Sequence, residues 1–152
     1  MEGMDQALRL LNIRSYSSKE LAAKLEKKGF TSGEIEAILQ ECTRLHLLDD
    51  REYALNYANS LALRNSGQRK IACELRRKRL DRELIQEALQ TTGEDEPLRC
   101  LEAARYKLRL LTRETDKRKR REKLFRYLAC RGFQSQSIRY ALEHLENPTD
   151  DD

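Results

Sequence analysis

The chain contains the same twenty-residue pattern three times. Glu20 to Leu39 reads ELAAKLEKKGFTSGEIEAIL, Lys70 to Leu89 reads KIACELRRKRLDRELIQEAL, and Lys123 to Leu142 reads KLFRYLACRGFQSQSIRYAL. The three align without a gap, at offsets of 50 and 53 residues. Leu25, Leu75 and Leu128 share a column, as do Ile35, Ile85 and Ile138, and Leu39, Leu89 and Leu142. Leu21/Ile71/Leu124 and Phe30/Leu80/Phe133 are apolar columns as well. A period of this length is the mark of a repeat architecture, in which each unit buries its apolar face against its neighbours.

Each copy reads as helix–turn–helix. Leu21 and Leu25 stand one turn apart on one helix face. Gly29 ends that helix because glycine takes the left-handed conformation at low cost. Thr31 and Glu34 form a capping box for the next helix, and Ser17 and Glu20 form one for the helix before. Ile35, Ile38 and Leu39 make the second apolar face. In the second copy Asp81 takes the cap place and Arg79 stands where the first copy has glycine. In the third copy Gly132 returns, and Ser135 is preferred over Gln134 as the cap. One more helical pattern precedes each copy. Ala7, Leu8, Leu10 and Leu11 make the first. Tyr53, Ala54, Tyr57, Leu61 and Leu63 make the second, opened by Asp49 and Asp50 as caps. Leu101, Ala104, Leu108 and Leu111 make the third, with Pro97 in its first turn, where a missing N–H costs little.

The expected fold is therefore all-α: three tandem three-helix modules over residues 1–48, 49–93 and 94–147, with an acidic disordered tail over 148–152. Modules so small bury too little surface to stand alone, so they are expected to stack into an elongated, curved array. Composition agrees. The chain has 6 Gly and 2 Pro in 152 residues, too few for the turns of an all-β fold. No run of apolar residues is long enough to span a membrane, and the N-terminus does not read as a secretory signal. Cys42, Cys73, Cys100 and Cys130 lie 27 to 31 residues apart, without a close pair to seed a zinc site. They read as free, buried or half-buried thiols in a reducing cytoplasm.

The formal net charge of +4 hides a gradient. Residues 1–50 carry 7 basic and 9 acidic side chains, residues 51–100 carry 10 and 8, and residues 101–152 carry 13 and 9. Between residues 105 and 131 there are 12 basic groups against Glu114, Asp116 and Glu122. Such asymmetry points to a polyanion or an acidic protein surface as partner. The densest run, Lys117, Arg118, Lys119, Arg120 and Arg121 with Lys123 beyond it, is the first candidate contact. On a helix its members spread over all azimuths. Arg76, Arg77, Lys78 and Arg79 are the second candidate. They collect at a helix C-terminus, where complementarity with the helix dipole is the plainer explanation. Of the nearby aromatics, Phe125 is assigned to the core beside Leu124. Tyr106 and Tyr127 are open to base stacking, and Tyr53 and Tyr57 pack under a module junction.

Several of these segments resemble one family. Ala7 to Arg14, Ser15-Tyr16-Ser17, Glu20-Leu21, Lys24-Leu25 and Lys28-Gly29-Phe30 resemble the opening module of the RecX regulatory proteins. Leu47-Leu48-Asp49-Asp50 with Tyr53-Ala54 is similar to the junction entering the second module. Gly67, Ile71, Glu74-Leu75 and Lys78 are similar to the next signature, and Arg131-Gly132-Phe133 with Ile138 and Ala141-Leu142 to the closing one. Two departures fall at helix ends. His46 stands where the family has glycine, and Arg79-Leu80 where it has Gly-Ile. The resemblance implies a bacterial cytoplasmic protein that modulates RecA recombinase. It would restrain filament growth on single-stranded DNA, lie along the filament groove, and thereby reduce ATP hydrolysis and strand exchange.

The residues themselves agree with a binding role. His46 and His144 are the only imidazoles, and there is no phosphate-binding glycine loop. The expectation is a monomeric regulator, not an enzyme, with no cofactor and no metal. The alternatives are a general helix–turn–helix DNA-binding protein, which would dimerise and read bases from one recognition helix, and a helical adaptor that binds protein alone.

Overall fold

The computed structural model describes residues 2–146, and the tail expected over 148–152 lies outside them. Among the described residues there are nine α-helices and no strand. They are α1 (Glu2–Ile13), α2 (Ser18–Lys27), α3 (Ser32–Arg44), α4 (Asp50–Leu63), α5 (Gln68–Arg77), α6 (Arg82–Gly93), α7 (Glu96–Leu110), α8 (Lys117–Cys130) and α9 (Ser135–Glu146). The helix pairs α2–α3, α5–α6 and α8–α9 are the three sequence copies.

The caps account for most boundaries. Ser17 accepts from the amide of Glu20 at 3.2 Å, and the Glu20 carboxylate returns a bond to the amide of Ser17 at 3.0 Å. Thr31 and Glu34 repeat the arrangement at 3.2 and 2.9 Å. Each box satisfies two of the amides a helix start leaves without partners. In the third copy Gln134, not Ser135, holds the cap position. α9 begins at Ser135 and the carbonyl of Gln134 accepts the first helical bond, from Ile138. The two departures from glycine do not alter the turns: His46 (φ 60°) and Arg79 (φ 58°) take the left-handed conformation that Gly29 and Gly132 also hold.

The described residues fall into two compact units. Within the described range the first is residues 2–57 with Glu74–Glu87, and the second is Ala58–Cys73 with residues 88–146. In the first unit Ala7, Tyr16, Leu21, Leu25, Ile35, Ile38, Cys42 and Leu48 form a core. In the second, Cys100, Leu101, Ala103, Ala104, Leu124, Leu128, Phe133, Ile138, Ala141 and Leu142 do so, where α7 runs along α9 and against α8. All five repeat columns contribute to the buried set, with Phe30, Leu39 and Leu89 only half-buried. Cys42 and Cys100 are buried as expected, and burial pushes the Cys100 thiol up to about 12. Cys73 and Cys130 are exposed, because the adjacent columns already fill the apolar stripes of α5 and α8.

Each unit contains one joint between successive repeats, and the two joints are built alike. In the first unit the Ser17 hydroxyl donates to the carbonyl of Lys78, and Asp50 Oδ1 accepts from the Ser18 amide at 2.8 Å and its hydroxyl at 3.1 Å. In the second unit the Gly67 amide donates to the carbonyl of Arg131 at 2.8 Å, and Glu96 Oε2 accepts from the Gln68 amide at 2.7 Å. Ser17 and Gly67, Ser18 and Gln68, and Lys78 and Arg131 are equivalent repeat positions. Asp50 and Glu96 each open the first helix of the following triplet. Asp50 is thus a joint residue and not the helix cap expected of it. Asp49 alone caps α4, accepting from the Glu52 amide at 3.0 Å.

The second joint is the more deeply buried. Glu96 is 2% exposed and also accepts from the Ser137 hydroxyl. Arg99 donates to the carbonyls of Ser66 and Thr92 at 3.1 and 2.6 Å and to Gln68 Oε1 at 2.7 Å. Burial lowers the pKa of Arg99, opposed by Glu96 and Asp95. Polar groups are tolerated at such depth only when their hydrogen bonds are complete. Among the described residues no buried side-chain polar atom lacks a partner.

Candidate nucleic-acid and filament interface

The basic run forms an extra helical turn. α2 begins at Ser18 and α5 at Gln68, positions equivalent to Arg121 in the third copy. α8 begins four residues earlier, at Lys117, so Lys117, Arg118, Lys119 and Arg120 make a turn the other two copies lack. Asp116 starts it, accepting from the amides of Arg118 at 2.9 Å and Lys119 at 3.5 Å. Leu124 and Leu128 anchor the same helix to the core.

This turn stands at the wrong end of a helix for its charge. A helix N-terminus carries partial positive charge and favours anions. Five consecutive cations there are opposed by the dipole, and of these Lys117, Arg118, Lys119 and Arg121 are exposed and Arg120 half-buried. Arg118 is partly offset by Glu122 at 3.5 Å, with both side chains largely in solvent, a contact worth little. Lys123 is held more closely: its ammonium lies 2.8 Å from Glu114, whose pKa that bond lowers.

The second cluster behaves differently. Arg76 and Arg77 close α5 at its C-terminal end, where cations are favoured. Arg77 lies 3.4 Å from Glu74. Lys78 is a joint residue: its carbonyl receives Ser17, while its ammonium lies 4.0 Å from Glu20 and 5.3 Å from the Tyr57 ring centroid. Arg79 is exposed in the left-handed turn. The structure places this cluster in the first unit and Lys117 to Lys123 in the second.

α8 presents two adjoining grooves. One, of about 510 Å³, has an apolar floor of Leu108, Leu124, Leu142 and Leu145 under Lys117, Arg120 and Arg121. Lys117, Arg120, Arg121 and Leu124 have the i, i+3, i+4, i+7 spacing of one helix face. The other, of about 490 Å³, is lined by Arg121, Glu122, Phe125, Ser135, Ile138, Arg139 and Leu142. Here one expectation fails. Phe125 is 48% exposed and not in the core. At about 100° per residue Leu124 and Phe125 cannot both face inward, and Leu124 with Leu128 one turn on takes the buried stripe. Arg139 was not among the expected contacts. Comparing columns across the copies finds both, since Phe125 corresponds to Ala22 and Ala72, and Arg139 to Glu36 and Gln86.

The remaining aromatics have local partners. Tyr127 is half-buried, its ring centroid 5.2 Å from Lys107 Nζ and 5.9 Å from the Arg131 guanidinium carbon. Tyr106 is half exposed. Tyr53 and Tyr57 meet edge to face at 6.0 Å, and burial beside Glu20 pushes Tyr53 up to about 12. Among the described residues no group of three or more His, Cys, Asp or Glu side chains is placed to hold a metal. No helix is long and apolar enough to cross a membrane.

Comparison with known proteins places this geometry. The family model for the first three-helix domain of RecX matches residues 4–42, and that for the second matches residues 49–89. The chain belongs to the RecX family. The regulatory protein RecX of Prosthecochloris aestuarii is 37% identical over 145 residues, covering 95% of this chain and 93% of that protein. RecX of Pelodictyon phaeoclathratiforme is 39% identical over 150 residues, covering 98% and 92%. The crystal structure of RecX from Lactobacillus salivarius superposes with a TM-score of 0.84 over 95% of both chains, at 22% identity, and so speaks to the fold alone. RecX proteins are regulatory proteins by description, and the all-α tandem repeat expected from the sequence is the RecX fold.

Proposed function

We propose that this RecX-family chain binds RecA nucleoprotein filaments on single-stranded DNA and restrains RecA, lowering its ATP hydrolysis and strand exchange. It acts by binding, with no chemistry of its own, as a monomer in the cytoplasm. Within it, α8 supplies phosphate contacts through Lys117, Arg118, Lys119, Arg120 and Arg121, with Arg76, Arg77 and Arg79 as a second set. Lys78 and Lys123 contribute less, because their side chains are only 25% and 42% exposed beside Glu20 and Glu114, whereas those of Arg77 and Arg118 stay 72% and 88% exposed despite their own carboxylate partners.

The observation that carries this reading is the extra turn of α8. A turn absent from the other two copies, built of four cations and set against the helix dipole, is not accounted for by folding. An external polyanion accounts for it. Each phosphate contact on a single strand would steepen the salt dependence of binding by roughly 0.7 in log–log slope.

The test adds the full chain to RecA assembled on single-stranded DNA and follows ATP hydrolysis. Hydrolysis is expected to fall as the chain is titrated toward stoichiometry with RecA. Hydrolysis unchanged at a modest excess would remove the reading. Tight, sequence-specific binding to duplex without RecA would point to a conventional helix–turn–helix protein in its place.

A further inference from the structure

We infer that the groove between α8 and α9 holds an unstacked base of single-stranded nucleic acid on the ring of Phe125, with Arg121 and Arg139 engaging the flanking phosphates. The inference rests on the reading above, and gives that reading a specific site.

The argument comes from what the third copy changes. Of the residues lining this groove, Ile138 and Leu142 belong to apolar columns that every copy keeps. Three others depart toward a cation or an aromatic ring, while Glu122, where the first two copies have Lys19 and Arg69, departs the other way. Arg121 stands where the first two copies have Ser18 and Gln68. Phe125 stands where they have Ala22 and Ala72. Arg139 stands where they have Glu36 and Gln86. Two copies fold with alanine at the Phe125 position, so the repeat does not need an aromatic there. The three departures are two guanidinium groups and one exposed ring, and the fold gathers them in one groove. The groove's one acidic residue, Glu122, is paired with Arg118 at 3.5 Å.

The ring selects among polyanions. A stacked aromatic adds a sequence-tolerant attraction for any base, because every base has a π face. That attraction is available only to bases outside a duplex. An acidic peptide would use the two arginines and leave the ring without a role.

The chain contains no tryptophan and six tyrosines, so Phe125→Trp places a single indole, excitable apart from the tyrosines, in the groove. With the full-length chain, its emission should be quenched by oligothymidylate and unaffected by polyglutamate. Phe125→Ala restores the residue of the other two copies, so helicity should be retained. Its affinity for oligothymidylate should fall roughly tenfold, with the slope of log affinity against log salt unchanged. Arg121→Gln and Arg139→Gln should each lower that slope by about 0.7. Full affinity in Phe125→Ala, or quenching of the Trp variant by polyglutamate instead of oligothymidylate, overturns the groove assignment alone. Absence of oligothymidylate binding by the unmodified chain overturns both this assignment and the phosphate-binding role of α8.

Discussion

At the scale of single residues, the left-handed positions show where this sequence gives up stability. His46, Asn65 and Arg79 all hold positive φ without being glycine, at a cost on the order of 1 kcal/mol each. Arg79 is the clearest case, because the equivalent positions in the other copies are Gly29 and Gly132. Arg79→Gly should raise stability by about 0.5–1 kcal/mol, less than the full strain because glycine also gains freedom in the unfolded chain. The midpoint of urea unfolding checks this. A fall in the salt slope of oligonucleotide binding in the same variant would assign Arg79 a phosphate contact. The turn was legible in the sequence: a column holding glycine in two copies predicts its backbone in the third, whatever side chain stands there. Phe125 was not legible from its own neighbourhood. Its apolarity and its place beside Leu124 suggested burial, but the azimuth of each helix residue is fixed by which stripe the neighbouring helices cover.

At the scale of the element, α8 is the helix in which folding and the proposed binding conflict. Its anchoring was readable from Leu124 and Leu128, and its extension from the lack of any helix breaker between Lys117 and Lys123. What the sequence did not display was that the extension is one turn beyond the other copies, because its start depends on Asp116 reaching two amides. Changing Lys117, Arg118, Lys119, Arg120 and Arg121 together to Gln leaves residues of good helix propensity and removes charges that the dipole opposes. The variant should therefore be as stable as the parent or more so, by about 1 kcal/mol at low salt, while the inhibition of RecA ATP hydrolysis proposed for the parent should weaken. Thermal unfolding and the ATPase titration measure the two effects. The informative result is their opposition. A surface kept only for solubility or helix stability would not trade one for the other, and unchanged inhibition would move the contact away from α8.

At the scale of the whole molecule, the sequence repeat has three copies while the described residues group into two compact units, each built around one joint. The copies were legible because apolar columns recur. The joints were not, because they are made of Ser17, Ser18, Asp50, Gly67, Gln68 and Glu96, residues that share no side-chain chemistry down a column. What recurs is the backbone geometry: an amide at the start of one helix meets a carboxyl group from the helix that opens the next triplet. Gly67 shows how tightly the second joint is closed. A Cβ built there would lie 2.2 Å from the carbonyl carbon of Gly132 and from the amide nitrogen of Phe133. Those are backbone atoms, and they cannot rotate away as a side chain can. The Gly67 amide also donates to the Arg131 carbonyl at 2.8 Å, so any shift that relieves the clash strains that bond. Gly67→Ala should then cost about 3 kcal/mol or more, at the upper end of overpacking effects. Gly33→Ala is the matched control. A Cβ at Gly33 meets nothing within 4 Å, and alanine is the better helix former, so stability should hold or rise by a few tenths of a kcal/mol. Urea titrations of the two variants compare them directly. A Gly67→Ala protein as stable as the Gly33→Ala control would mean that the second joint is looser than the packing of Gly67 against Gly132 implies.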